Sequence, residues 1–360
     1  MSQRIPLFLL TGFLGSGKTT LLNHLVKQPQ FARTLVIINE LGGISLDHLL
    51  VSRSSEDNVI QLSSGCICCS IRGDLAQTLR DISWRFARNG VRQFDQVIIE
   101  TTGLAAPGSI IHTVMAEAKI AAMYRLQAIV VTVDAINGAT TLLNHTEAQQ
   151  QAAVADLLLL SKTDLATPAQ TQQLKAQLAV LNPQAAQLEL QHGNIAAEVL
   201  LQLDHIEPQQ NTTPLSNWLN ISRLTPANSQ PAGKIALQAA HQARIQSHVF
   251  VMHTPIPFAR FEQWLNHMVA EMAPNMLRIK GIMHIAGFPG PMVIHGVQHV
   301  FHPAEFMPHW PDDDKRSRLV FITDGISRRQ LEQQLSQHQL LPLAETDADG
   351  GVTRGLVQQF

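Results

Sequence analysis

The segment Gly12-Phe13-Leu14-Gly15-Ser16-Gly17-Lys18-Thr19 fits G-x-x-x-x-G-K-[ST], directly after an apolar run and at the start of a helical pattern. Glycines there let the backbone wrap a phosphate, and the helix start supplies aligned N–H groups and partial positive charge. Lys18 can reach the β- and γ-phosphates, and Thr19 can offer its hydroxyl to Mg²⁺. Gly12, Gly15, Ser16, Gly17, Lys18, Thr19 and Thr20 are therefore the candidate nucleotide contacts. A later apolar run ends in Ser161-Lys162-Thr163-Asp164, close to the N-K-x-D tetrad that reads guanine. A carboxylate at Asp164 would accept from the guanine N1–H and N2–H₂ groups, which adenine does not present in that arrangement, while Lys162 would lie across the ring. Ser161 replaces the usual Asn with a shorter group, and a plain strand-to-helix turn capped by Asp164 would leave the same four residues. Position after a phosphate loop, at the carboxyl end of a strand, favours the guanine reading.

Between these motifs lie two more. The run Val97-Ile98-Ile99-Glu100-Thr101-Thr102-Gly103 ends in an acid and then a glycine whose backbone can approach a γ-phosphate, the layout of a phosphate sensor. Glu100 would polarise a Mg²⁺-bound water or place the attacking water, against the plainer role of a local hydrogen bond at a strand end. Gly65-Cys66-Ile67-Cys68-Cys69 holds all 3 cysteines of the chain. Distant segments therefore cannot be joined by a disulfide framework, and three clustered thiolates suit a soft or borderline cation such as Zn²⁺, with a fourth ligand from elsewhere or from water. Buried free cysteines or a redox-active pair are the alternatives.

The elements that must hold these groups follow from pattern. With 360 residues, the chain has length for roughly two domains. Lys plus Arg is 26 against 28 for Asp plus Glu, a formal charge of −2, so no basic face recommends nucleic acid or a membrane surface as partner. No apolar run reaches the roughly 18 residues of a membrane span. Ile5 to Leu14, after Arg4, could pass for a short signal peptide, but the phosphate loop that overlaps its end makes it a buried strand and the protein cytoplasmic. Strands are expected at 5–10, 34–39, 59–62, 96–100, 128–134 and 157–161, with helices at 18–27, 73–88, 108–123, 147–154 and 168–181. That alternation predicts an α/β, doubly wound, mostly parallel sheet of the P-loop NTPase kind over residues 1–203. Pro208, Pro214, Pro226 and Pro231 among polar residues mark 204–240 as a linker. A small α+β domain is expected over 241–340, with strands at 245–252, 277–285, 292–300 and 319–323 and helices at 258–272 and 327–337. Residues 341–360 are expected to be a mobile tail.

Taken together, GFLGSGKTT, VIINE, GCICCSIRGDL, IIETTGLAAP, VTVDA and SKTDL resemble the CobW-like family of P-loop GTPases, metallochaperone relatives of the urease and hydrogenase nickel-insertion GTPases. HQARIQSHVF, LRIKGI and HGVQHVF resemble that family's small C-terminal domain, so the likeness spans most of the chain. It implies a slow GTPase that uses GTP/GDP and Mg²⁺, binds Zn²⁺ or Co²⁺, and delivers metal to a client metalloprotein. Support of cobalamin synthesis and a nucleotide-switched regulatory protein without metal are the alternatives; a homodimer is open, and neither nucleic acid nor membrane is implied. By the match, Gly12 to Thr20 hold the nucleotide, Lys18, Thr19 and Glu100 are catalytic, Glu100 to Gly103 form the second switch, and Lys162 and Asp164 read guanine. Cys66, Cys68 and Cys69 match the metal motif, with Glu40 carried beside them as a ligand and Thr19 for Mg²⁺. Asn39, Glu40 and Asp47 fit the first switch, where Gly43 stands in place of the family's second glutamate and removes a carboxylate that could contact a metal.

The 16 histidines add no stronger ligand set. His295, His299 and His302 are spaced by four and three, which does not keep one face of a strand, and His48 and His112 border the switches, where either could complete a cysteine site in one nucleotide state. A thiol redox sensor and a metabolic P-loop kinase are the remaining rivals. Geometric strain between near-neighbour cysteines disfavours the first, and the S-K-T-D and E-T-T-G motifs have no role in the second.

Overall fold

The structure, a computed structural model, describes residues 4–41, 59–64, 70–190, 192–203, 244–298, 300–301, 304–310 and 312–341. Cys66, Cys68, Cys69, Gly43, Asp47, His48, His299 and His302 lie outside them, as do the expected linker and the tail beyond Leu341. The chain divides into two compact units, Met1–Ile206 and Glu207–Phe360.

In chain order the first unit holds β1 (Ile5–Gly12), α1 (Lys18–Leu25), β2 (Thr34–Leu41), β3 (Val59–Ser64), α2 (Ser70–Arg85), β4 (Ala87–Arg88), β5 (Val91–Arg92) and β6 (Gln96–Thr101). It continues with α3 (Gly108–Ala116), α4 (Ala118–Met123), β7 (Tyr124–Asp134), α5 (Gly138–Asn144), α6 (Thr146–Val154), β8 (Leu157–Ser161), α7 (Pro168–Leu181), β9 (Ala186–Glu189) and α8 (Ala197–Leu201). Seven strands form one parallel sheet in the order β3-β2-β6-β1-β7-β8-β9. A parallel sheet covered on both faces buries consecutive side chains, and so Leu157, Leu158, Leu159 and Leu160 are all buried although they alternate in direction. Leu21, Leu22 and Leu25 of α1 pack on Phe8, Leu10, Ile98 and Val130 of the sheet, fixing the helix that follows the phosphate loop.

Register then sets the site. Leu10 pairs with Glu100, Gly12 with Thr132 and Asp134 with Ser161, so the carboxyl ends of β6, β1, β7 and β8 lie in a row. Open α/β sheets bind ligands at that edge, where the connections diverge to either side.

Two expected helices are revised. The stretch 108–123 is two helices, because Glu117 takes an extended backbone (φ −78°, ψ 109°) between α3 and α4 and turns its carboxylate to an ion pair with Arg80. The helix expected to reach Arg88 stops at Arg85, since Asn89 and Gly90 adopt positive φ (52° and 76°) and make the tight turn joining β4 to β5. β7 starts at Tyr124 rather than Ala128; Gln127 is accommodated inside it by donating to the Leu203 carbonyl at 2.6 Å.

The second unit contains β10 (Ile245–Met252), α9 (Phe258–Met272), β11 (Met276–Met283), β12 (Met292–Val297), β13 (Val300–Phe301), β14 (Glu305–Phe306), β15 (Ser317–Asp324) and α10 (Arg328–Gln337). Its sheet is antiparallel, ordered β10-β15-β11-β12-β13 with β14 beside β12. Phe261, Trp264 and Met268 recur on one stripe of α9 and pack with Leu331 and Leu335 of α10 against Phe250, Ile279 and Phe321 of the sheet. The helix α10 starts in a reciprocal cap between Ser327 and Gln330.

This unit carries a pH sensitivity. Burial holds the pKa of His248 below the ordinary value of 6.5, despite its hydrogen bond to the Ile326 carbonyl, and burial with the neighbouring His267 does the same to His338. At these two histidines the unfolded chain then binds more protons than the folded chain, so their contribution to stability is lost as pH falls through 6.5 toward the lower folded pKa values and is constant above it. Thermal melts should show a lower Tm at pH 5.5 than at pH 8 for this unit, and His248→Gln should flatten that dependence. An equal pH slope in the variant would assign the effect elsewhere.

No helix among the described residues is long and apolar enough to cross a membrane.

Candidate functional site

The loop between β1 and α1 has the backbone that its glycines permit. Gly12, Gly15 and Gly17 have φ of 143°, 71° and 92°, and Gly17 caps α1 from the left-handed region that a side chain would strain. Lys18 is 8% exposed, and its ammonium donates to the carbonyls of Gly12 (2.8 Å) and Phe13 (3.1 Å), folding the cation back over the loop it belongs to. Thr19 Oγ1 donates to Glu100 Oε1 across 3.1 Å, joining the loop to the end of β6. A hydroxyl and a carboxylate so close are hard oxygen donors of the kind Mg²⁺ takes in nucleotide sites. Thr20 follows on α1, where its methyl would lie 2.8 Å from a Cβ at Gly193.

Glu100 is buried, and the segment that follows it lies against the phosphate loop. A Cβ on Gly103 would stand 2.5 Å from the Leu14 nitrogen, so only glycine lets the two backbones touch. A line of buried hydroxyls crosses the same edge. Ser161 Oγ donates to the Ser16 carbonyl (2.6 Å), Ser16 Oγ lies 2.7 Å from Thr132 Oγ1, and Thr101 Oγ1 donates to Thr11 Oγ1 (2.7 Å). Thr132 closes the line by a longer bond to the Thr11 carbonyl at 3.4 Å.

Ser161, the departure from the guanine tetrad, thus has a defined task. Its short hydroxyl suffices because Gly17 brings the loop within 3.5 Å of the Ser161 Cβ, counted from where a Gly17 Cβ would be. Lys162 adopts φ 57°, and its ammonium is 2.7 Å from Asp134 Oδ2. Burial pushes the Asp134 carboxyl upward, but hydrogen bonds from Lys162 and from the N–H groups of Ile136 and Asn137 outweigh it and leave the pKa below the usual 3.8. Asp164 stands 3.4 Å from His192 Nδ1, in the loop after β9, and Thr163 donates to the Leu190 carbonyl at 2.9 Å, tying that loop to the tetrad.

The sequence reading missed Thr132, Asp134 and His192. For Asp134 a signal exists: an acid ending an apolar strand in V-T-V-D-A, in register with Ser161 on the adjacent strand. Thr132 and His192 carry no spacing that would single them out.

Glu40 lies in β2, paired with Ser63 of β3, and Asn39 pairs with Leu62. The cysteines belong to the segment between β3 and α2, outside the described residues. Among the described residues no group of three or more His, Cys, Asp or Glu is arranged to hold a metal ion. His112 is on α3 and His295 is buried on β12.

Comparison with known proteins is consistent with this geometry. Residues 6–189 match the family described as CobW/HypB/UreG, nucleotide-binding domain, and residues 245–339 match the cobalamin synthesis protein cobW C-terminal domain. The zinc chaperone YjiA of Escherichia coli (strain K12) is 31% identical over 318 residues, 88% of this chain and 93% of that one. The zinc chaperone CobW of Pseudomonas aeruginosa is 27% identical over 355 residues, 92% and 91% of the two chains. The crystal structure of zinc(II)-bound YjiA GTPase from E. coli superposes with a TM-score of 0.67 at 25% identity, covering 94% of this chain and 99% of the other. A phosphate loop at the end of β1, a parallel sheet that aligns the S-K-T-D tetrad with it, and matches in both units lead to one conclusion: the chain belongs to the CobW/HypB/UreG family and carries its nucleotide-binding domain followed by the CobW C-terminal domain.

Proposed function

We propose that this protein is a Mg²⁺-dependent GTPase that carries Zn²⁺ or a similar divalent ion and delivers it to a client metalloprotein. The observation that carries the nucleotide half is the joined edge of four strands. Lys18 and the loop amides stabilise phosphate charge, Thr19 with Glu100 faces the Mg²⁺ position, and Ser161 anchors the guanine-reading turn to the phosphate loop. Mg²⁺, when bound, neutralises charge developing on the transferring phosphoryl group. Asp164 accepts from the guanine edge, and Lys162, held by Asp134, lies across the base.

The metal half rests on Cys66, Cys68 and Cys69, whose thiolates suit Zn²⁺ or Co²⁺ and leave the coordination shell incomplete, as cargo requires. Glu40 is the fourth-ligand candidate, on the strand next to the one the cysteines follow. The relatives named zinc chaperones favour zinc. On this reading the protein works in the cytoplasm and needs neither nucleic acid nor membrane. A homodimer is compatible with it.

Steady-state GTP hydrolysis tests both halves. Metal-free, reduced protein should hydrolyse GTP slowly, stoichiometric Zn²⁺ should change the rate, and a variant with all three cysteines changed to Ser should ignore the metal. Equal rates for both proteins at every Zn²⁺ level would leave a GTPase with no link to metal.

A further inference from the structure

Gln151 sits in α6 within the run Gln149-Gln150-Gln151, a stretch that reads as solvent-facing helix, yet its side chain is wholly buried at 0% exposure. Both of its amide protons are committed: Nε2 donates to the Gly103 carbonyl and to the Ala105 carbonyl, each at 3.1 Å. Because both partners are carbonyl oxygens, the nitrogen must face them, and a flipped carboxamide would set oxygen against oxygen. One side chain therefore fixes two peptide units of the segment that follows Glu100.

The same segment is held from its other side by the phosphate loop, where Gly103 and Leu14 meet backbone to backbone. Helix α6 touches that loop as well. His145, its N-cap, places its ring 4.5 Å from that of Phe13. Thus α6 contacts both pieces of chain that must enclose a γ-phosphate. Gln151 Oε1, in turn, is buried without a hydrogen-bond partner.

We propose that Gln151 is a positioning residue for the second switch, holding Gly103 and Ala105 by their carbonyls so that the backbone after Glu100 is placed against the phosphate loop where a γ-phosphate would be met. The inference rests on the GTPase reading and deepens it: α6 becomes the element through which the triphosphate state is felt.

The test uses the full chain with Gln151→Met, which keeps the length and removes donor and acceptor, and Gln151→Glu, which leaves at most one O–H donor for the two carbonyls. Each variant should lower kcat for GTP about tenfold with KM changed less than threefold, and should shift the ratio of GTP-analogue to GDP affinity about fivefold. Retained kcat and an unchanged ratio in folded variants would overturn this role. Hydrogen exchange on the wild type carries the test without any variant: a non-hydrolysable GTP analogue, compared with GDP, should alter protection of 102–105 and of 146–154 together. Unchanged exchange in 146–154 would overturn it too. A wild type that does not hydrolyse GTP would instead overturn the function proposed above.

Discussion

Replacing Lys18 with Ala should lower kcat for GTP by about 10²–10³-fold, the range found when one preorganised donor to developing charge is removed from a water-poor site. The residue is placed for that loss. Lys18 is almost wholly buried and its ammonium is folded onto the Gly12 and Phe13 carbonyls, so much of its desolvation precedes nucleotide binding. On binding it exchanges two carbonyls for phosphate oxygens carrying full charge, and the stronger, charge-assisted bonds favour the exchange. Nucleotide affinity should fall with kcat, because the β-phosphate is contacted in GDP and GTP alike. The loss would be read by single-turnover hydrolysis beside a melting curve. A folded variant with wild-type kcat would remove Lys18 from the chemistry.

The second large effect is a change of base. With Asp164→Asn, GTP affinity should drop by about 10²-fold or more, since one carboxylate oxygen that accepts from guanine N2–H₂ becomes an amide that meets it donor to donor, and a charged hydrogen bond is worth about 1.5–3 kcal/mol before that clash is counted. Xanthosine triphosphate carries a carbonyl where guanine carries the amine, so the same amide can donate to it while the remaining oxygen accepts from N1–H. The variant should therefore prefer xanthosine over guanosine triphosphate, with ATP weak for both proteins. Competition against a fluorescent nucleotide measures the order. Loss of guanosine triphosphate with no gain of xanthosine triphosphate would mean that Asp164 only supports the turn, through its contact with His192 or as a cap.

Much of this site was readable because P-loop chemistry is local. The glycines, Lys18 and Thr19 fall within eight consecutive residues, and their strand and helix follow from an apolar run and a 3.6-residue pattern. The strands 157–161 and 245–252 are bounded to the residue by their apolar runs. What stayed hidden is what depends on tertiary neighbours. β9 is a short sheet-edge strand, Ala-Gln-Leu-Glu, whose side chains are half-buried or exposed, so it shows little apolar pattern. Ser161 looked like a flaw in the guanine tetrad until Gly17 and Ser16 were seen to come within reach of its hydroxyl. Gln151 could not be told from Gln149 and Gln150 by composition, since burial of one amide among three is decided by which face of α6 meets the loop after β6. The hydroxyl line from Ser161 to Thr101 needs the register of four strands, which no single segment encodes.

The cysteine segment gains its meaning from what flanks it. It joins β3, the edge strand beside the one that carries Glu40, to α2, which packs against α3 after the second switch. Asn39 and Glu40 match a first switch and Glu100 to Gly103 a second, so on the proposed reading the cysteine segment is flanked by both, and metal and nucleotide should act on one conformational equilibrium. Linkage makes the effect reciprocal: whatever factor GTP adds to metal affinity, metal must add to GTP affinity.

Zinc titration of the reduced protein, loaded in turn with a non-hydrolysable GTP analogue and with GDP, tests that claim most directly. The account predicts dissociation constants that differ between the two states by about 5–150-fold, the range of typical allosteric couplings, and a variant with Cys66, Cys68 and Cys69 changed to Ser that binds zinc weakly in both. Identical zinc affinity in the two nucleotide states would contradict it.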